Sequence, residues 1–151
     1  MAHFGTFGYE LDLNKLNETE RQMVREQIKF MKKYREVIQF GEFYRLVSPF
    51  DTNFLSWMVV SQDKKIALVG WYKILNEVNG PYSGTHLQGL DPNLCYHVDG
   101  DKGHFGNELM NIVLIVTDSA AGLISPEEAP VEGQEEHKAC DFDSHIFVLK
   151  A

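Results

Sequence analysis

The sequence is poor in positive charge. Its 151 residues hold 14 Lys and Arg against 22 Asp and Glu, a formal charge of −8 at pH 7. That balance excludes the clustered basic footprint of a nucleic-acid binder and the polybasic face that seeks anionic lipid. Cysteine is scarce too. Cys95 and Cys140 stand far apart without CxxC spacing, so no disulfide scaffold or zinc ribbon is written here, and the two read as free thiols in a reducing compartment. A bond between them stays open at this point. No run approaches the roughly 18 apolar residues of a spanning helix. No basic stretch leads into an apolar segment at the start. The expectation is a cytoplasmic chain with no membrane and no nucleic-acid partner. Internal repeats are also lacking, and the glycines of Phe4-Gly5-Thr6-Phe7-Gly8 fit neither a GxGxxG nor a GxxxxGK frame.

What is present is a globular composition, 44% apolar and 12% aromatic, at about one domain's length. Phe4–Leu13 reads as a strand. Residues 13–17 read as a turn. Asn17 with Glu20 gives the Asn-x-x-Glu form of a capping box, and Glu18 and Glu20 suit the positive end of a helix dipole. Met23, Val24, Ile28, Met31, Tyr34 and Ile38 then recur every three or four residues, widened by Phe30 and Val37. This spacing predicts an amphipathic helix over 17–40. Gly41 can end it. One strand and one helix cannot close a parallel sheet by themselves, because parallel strands need neighbours and crossover helices.

After Gly41 the period changes from helical to strand-like. Strands are expected at Glu42–Ser48, Phe54–Ser61, Ile66–Leu75, His86–Leu90, Cys95–Val98 and Ile146–Leu149, with an apolar run at Ile112–Val116. The turns fall at Gln62–Lys65, Asp91–Asn93 and Asp99–Gly103. Glu108–Asn111 suits a single helical turn. Residues 118–139 are rich in Gly, Pro and Glu and show little period. Short strands at this spacing indicate an antiparallel sandwich or barrel. The fold class expected is therefore mainly β. A long helix and its strand occupy 1–41, and an antiparallel β-sandwich domain occupies 42–151.

The ordered series Phe4–Leu13, Ile38–Leu46 with Ser48-Pro49-Phe50, Trp57–Ser61, Gly89-Leu90-Asp91-Pro92, Gly106–Asn111 and Phe142–Leu149 resembles the C-terminal portion of bacterial α-galactosidases of glycoside hydrolase family thirty-six. The resemblance implies that Phe4–Leu13 is the last strand of a (β/α)₈ catalytic barrel, that 1–41 is the barrel's closing unit, and that 42–151 is the C-terminal antiparallel β-domain. It implies a parent enzyme that releases terminal α-galactose from raffinose- and melibiose-type sugars with retention. That chemistry needs two carboxylates about 5 Å apart. The family holds them as aspartates in a Lys-Trp-Asp and a Ser-Asp context. Here Trp57 and Trp71 are followed by Met58 and Tyr72, and Ser61 by Gln62. No catalytic, cofactor-binding or metal residue is therefore assigned. The chain is read as a structural fragment, inactive alone, whose partner is the rest of the barrel.

Other constellations have plainer readings. Glu10 and Asp12, at i, i+2 on the expected strand, could form an acid/base pair at the barrel's active face. The plainer reading has Asp12 capping the next turn. Asp99-Gly-Asp101-Lys-Gly103 opens like a calcium loop, but the twelfth position is Met110 rather than Glu, so a hairpin turn is preferred. His97, Asp99 and His104 would suit a transition metal only if the fold gathered them. Trp57, Trp71, Tyr72 and Tyr82 could stack on sugar, which motivates the alternative of a stand-alone carbohydrate-binding or protein-interaction module. The acidic segment 127–136 reads as a solvated loop. The helix stripe must find cover on the β-region or drive a homo-oligomer.

Overall fold

The computed structural model describes residues 7–10, 12–75, 83–100, 102–112, 114–117, 120–121 and 141–151. A 3₁₀ turn, Leu13–Lys15, precedes the long helix α1 (Glu18–Phe40). The capping box forms as expected. Asn17 accepts from the Glu20 amide at 2.9 Å, and the Glu20 carboxylate accepts from the Asn17 amide at 2.9 Å. Two of the helix's orphan N–H groups are satisfied this way.

The strands that follow are β1 (Glu42–Val47), β2 (Phe54–Val60), β3 (Ile66–Lys73), β4 (Ser83–Thr85), β5 (Cys95–Val98), β6 (Gly103–Phe105), β7 (Leu114–Thr117), β8 (Ala120–Ala121) and β9 (Ser144–Lys150). A short helix α2 (Gly106–Asn111) sits between β6 and β7. Among the described residues one antiparallel sheet runs β1-β2-β3-β9-β5-β6, and a second runs β4-β7-β8. The last strand thus enters the middle of the large sheet, paired on one side with β3 and on the other with β5.

Strand alternation gives the large sheet two faces. Met58, Val60, Ala67, Val69, Trp71, Phe147 and Leu149 point to one face. There they meet Leu87, Leu90, Leu109 and Leu114 from the second layer in the main core. Leu55, Trp57, Val59, Leu68 and Tyr72 point the other way. Leu68 and Val59 are sealed on that side to 0% and 1% exposure, and the covering element is α1 through Met31, Tyr34 and Val37. The helix therefore finds its cover on the β-region.

Several expectations shift. Phe7–Glu10 carry no strand pairing, since the chain brings no parallel neighbour to them, and Phe4–Thr6 lie outside the described residues. The strand expected at His86–Leu90 is a loop, and pairing falls instead on Ser83–Thr85. Gly89 sits at φ 74°, which breaks extension, and both Leu87 and Leu90 face the core, a spacing of three that no strand gives. Part of the turn expected over Asp99–Gly103 is strand β6, built on Gly103, His104 and Phe105. The Ile112 run starts later, at Leu114, because Ile112 closes α2 by donating its N–H to Glu108 O. Ile66–Leu75 stops pairing at Lys73.

Candidate functional site

The helix and the sheet join without a linker. Gly41 donates its N–H to Val37 O at 2.9 Å and passes directly into β1. Its φ of −72° is ordinary, so glycine is required here for space rather than for backbone freedom. A Cβ would stand 2.4 Å from Val37 O, 2.6 Å from Val59 Cγ1 and 2.7 Å from Val60 O. On the same side, Tyr34 is 4% exposed, with Lys33 Nζ 5.2 Å and Lys150 Nζ 6.0 Å from its ring. These cations over an aromatic face add to the packing.

The stripe of α1 is covered over only half its length. Met31, Tyr34 and Val37 are buried, whereas Met23 is 54% exposed and Val24 and Ile28 are half-buried. On the helix wheel Met23 shares the side of Met31, Tyr34 and Val37, so the stripe continues past the end of its cover there, whereas Ile28 turns to the side opposite Val37. Beyond the helix, the outer face of the sheet carries a chain of rings. Phe43 lies 6.3 Å from Trp57, and Trp57 lies 5.1 Å from Tyr72 at 44°. The Tyr72 hydroxyl is buried and has no hydrogen-bond partner among the described residues, and burial pushes its pKa up to about 12.

The candidates named by sequence scatter. Asp12 accepts from the Asn14 amide at 3.0 Å and so caps its own 3₁₀ turn, while Glu10 is exposed. No acid/base pair forms between them. Trp57 and Trp71 stand on opposite faces of the sheet, and Trp71 is 1% exposed in the main core, so the four aromatics do not build one sugar platform. Tyr82, Cys140 and 127–136 lie outside the described residues, and Cys95 is an exposed free thiol. His97, Asp99 and His104 do not converge. Among the described residues no group of three or more His, Cys, Asp or Glu could hold a metal ion. His104 Nδ1 faces Glu108 at 3.0 Å, and His145 Nε2 faces Asp99 at 3.1 Å.

Sequence reasoning missed what Asp99 does. At φ 50° it turns the chain out of β5, and Gly100 follows at φ 90°. Its N–H donates to Val148 O at 2.9 Å and its Oδ1 accepts from the Val148 N–H at 2.8 Å. The residue therefore extends the β5–β9 ladder with its own side chain. The Asp-Gly pair was the available signal. Tyr96 was also missed. Its hydroxyl donates to Lys64 O at 2.6 Å and accepts from the Asp91 N–H at 3.0 Å, tying the β2–β3 turn to the Asp91–Pro92 turn. Motif residues meet across the fold as well: a Cβ on Gly89 (φ 74°) would strike the Tyr44 ring at 2.4 Å.

A cleft of about 560 Å³ lies between the end of α1 and the β2–β3 turn, lined by Glu36, Phe40, Gln62, Asp63 and Ile66 among others. Hydrogen bonds from the Ser61 hydroxyl and the Lys65 amide hold the Asp63 carboxyl below the usual carboxylate range. The arrangement of α1 on the sheet is that of a packing surface, built on Met31, Tyr34 and Val37.

Residues 55–149 match the glycosyl hydrolase family 36 C-terminal domain, and residues 1–41 match the melibiase family. The chain is 49% identical over all 151 residues to α-galactosidase AgaA of Geobacillus stearothermophilus, of which it spans 18%. The crystal structure of that enzyme superposes on 99% of the chain with a TM-score of 0.81, at 41% identity over the residues so paired. Variants of it have been crystallised with stachyose and with raffinose. The α-galactosidase of Lactobacillus brevis superposes on 99% of the chain with a TM-score of 0.79 at 40% identity, and the chain spans 19% of it.

Proposed function

The chain belongs to glycosyl hydrolase family 36, and we propose that it serves as the C-terminal part of an α-galactosidase. Residues 1–41 close the catalytic barrel and 42–151 form the β-domain that braces it. The observation that carries this reading is the match along the entire chain to an α-galactosidase of which it spans 18%. The division at Gly41 is supported by the two family models, one ending there and the other beginning at residue 55. The substrate of the whole enzyme is an α-galactoside of the raffinose type, supported by the sugars crystallised with variants of AgaA. A cytoplasmic location belongs to the same reading and is supported by the free thiol of Cys95.

The part in hand braces rather than reacts. Its carboxylates are engaged in capping, turn and ladder contacts at Asp12, Asp63 and Asp99, or exposed as at Glu10. The purified 151-residue chain is expected to leave nitrophenyl α-galactoside intact. Turnover at enzyme-like rates would overturn the proposal. The alternative of a stand-alone sugar-binding module has less support, because Trp71 is spent on the core and the Trp57–Tyr72 pair is tilted rather than flat.

A further inference from the structure

We propose that Glu10 lines the mouth of the catalytic barrel in the whole enzyme and there accepts a hydrogen bond from a hydroxyl of the bound α-galactoside. This rests on the reading above, in which residues 1–41 close the barrel, and adds to it a residue that touches the substrate. Burial alternates along Phe7–Glu10: Phe7 and Tyr9 are half-buried, whereas Gly8 and Glu10 are exposed. The Phe7 and Tyr9 rings meet edge to face at 5.3 Å, so these two residues share one side of the chain. The Tyr9 hydroxyl donates to Gln27 Oε1 on α1, which makes that side the helix side. A barrel strand turns alternate residues towards the outer ring of helices and towards the barrel interior. With Phe7 and Tyr9 on the helix side, Gly8 and Glu10 face the interior. The stretch ends in the 3₁₀ turn Leu13–Lys15, so Glu10 stands at its C-terminal end, where barrel enzymes hold their substrates. Asp12, the next residue of the same parity, has its carboxylate on the Asn14 amide, and Gly8 has no side chain. Glu10 is therefore the inward carboxylate of this stretch that faces a ligand. A carboxylate accepts hydrogen bonds and a galactoside carries several hydroxyl donors, so the two are chemically matched.

The test is a chimera in which this chain replaces the matching 18% of AgaA, assayed on raffinose. Glu10→Ala is expected to raise KM about tenfold or more, the loss of one hydrogen bond to a charged group. It should leave kcat within about twofold, the pattern of an interaction made equally with bound substrate and transition state. Glu10→Gln keeps an acceptor oxygen at the same reach and should recover part of the loss. The melting temperature of the chimera should be the same with and without either substitution, because no packed side chain is removed. An unchanged KM for Glu10→Ala overturns the contact and leaves the family reading standing. A loss of activity that follows a fall in the melting temperature makes Glu10 a packing residue and also overturns it. A fall in kcat at constant KM assigns the carboxylate to the chemical step instead of to binding, and overturns it as well. An unsubstituted chimera that folds but is inactive overturns the reading beneath it.

Discussion

At the level of single residues, two positions do work that their identities only hint at. Asp99 uses its carboxylate as a surrogate ladder group for Val148. Asp99→Ala leaves the Val148 N–H without its acceptor and should cost about 1–3 kcal/mol in urea unfolding. Asp99→Asn keeps an acceptor and tolerates φ 50°, so it should cost less. Gly41→Ala should destabilise by about 1–3 kcal/mol through overpacking, because two of the three atoms it meets are backbone carbonyl oxygens. Tyr72 gives a pH dependence. Its pKa is raised from 10 to about 12, so the neutral form is the one the fold prefers. The stability it contributes is complete below pH 10 and is lost as pH climbs towards 12. Tyr72→Phe should flatten that alkaline loss and leave stability near neutral pH equal or higher, since an unpaired buried hydroxyl is removed. Chemical unfolding followed from pH 8 to 11.5 checks both. Neither Asp99 nor Gly41 was fully legible in the sequence. Asp-Gly announces a turn, but which strand the carboxylate reaches depends on a partner far along the chain.

Among the elements, the helix was the most legible, because its cap, its stripe and its stop all agree locally. Its cover was not. The stripe says that one side is buried but not against what, and only the fold brings Met31, Tyr34 and Val37 onto β2 and β3. The two halves of α1 should accordingly differ in depth of protection. Tyr34→Ala, which empties a site between the helix and the sheet, is expected to cost about 3 kcal/mol. Asn17→Ala, at the uncovered end, should mainly fray the first turns. Amide hydrogen exchange of the isolated chain should show slow exchange near Tyr34–Val37 and fast exchange before Ile28. Uniform protection along α1 would contradict the half-covered helix. The misreading of one strand has a local cause. His86–Leu90 is short, and in a short segment a single left-handed residue, here Gly89, decides the outcome over any alternation.

For the molecule as a whole, fold class and layer count were legible, whereas the strand order was not. Nothing local tells Ser144–Lys150 to slip between β3 and β5. Specific assignment of a reaction was not legible from constellations either, because Asp12 is spent on its own turn, His97, Asp99 and His104 do not gather, and Trp57 and Trp71 lie on opposite faces of the sheet. What pointed to the family was the ordered series of motifs. Removing residues 144–151 should therefore abolish cooperative unfolding rather than merely lower its midpoint, since β9 bridges both halves of the large sheet. The position of β9 also has a bearing on biosynthesis. As the chain emerges in order, the β1–β2–β3 meander and the β5–β6 hairpin are complete first, each with an open inner edge. Those edges wait for a strand that begins 46 residues after Val98. During that interval they are the surfaces on which a stalled or shortened nascent chain would add strands from its neighbours. Expression without β9 is accordingly expected to yield aggregates that bind amyloid dyes, and the full chain a soluble product.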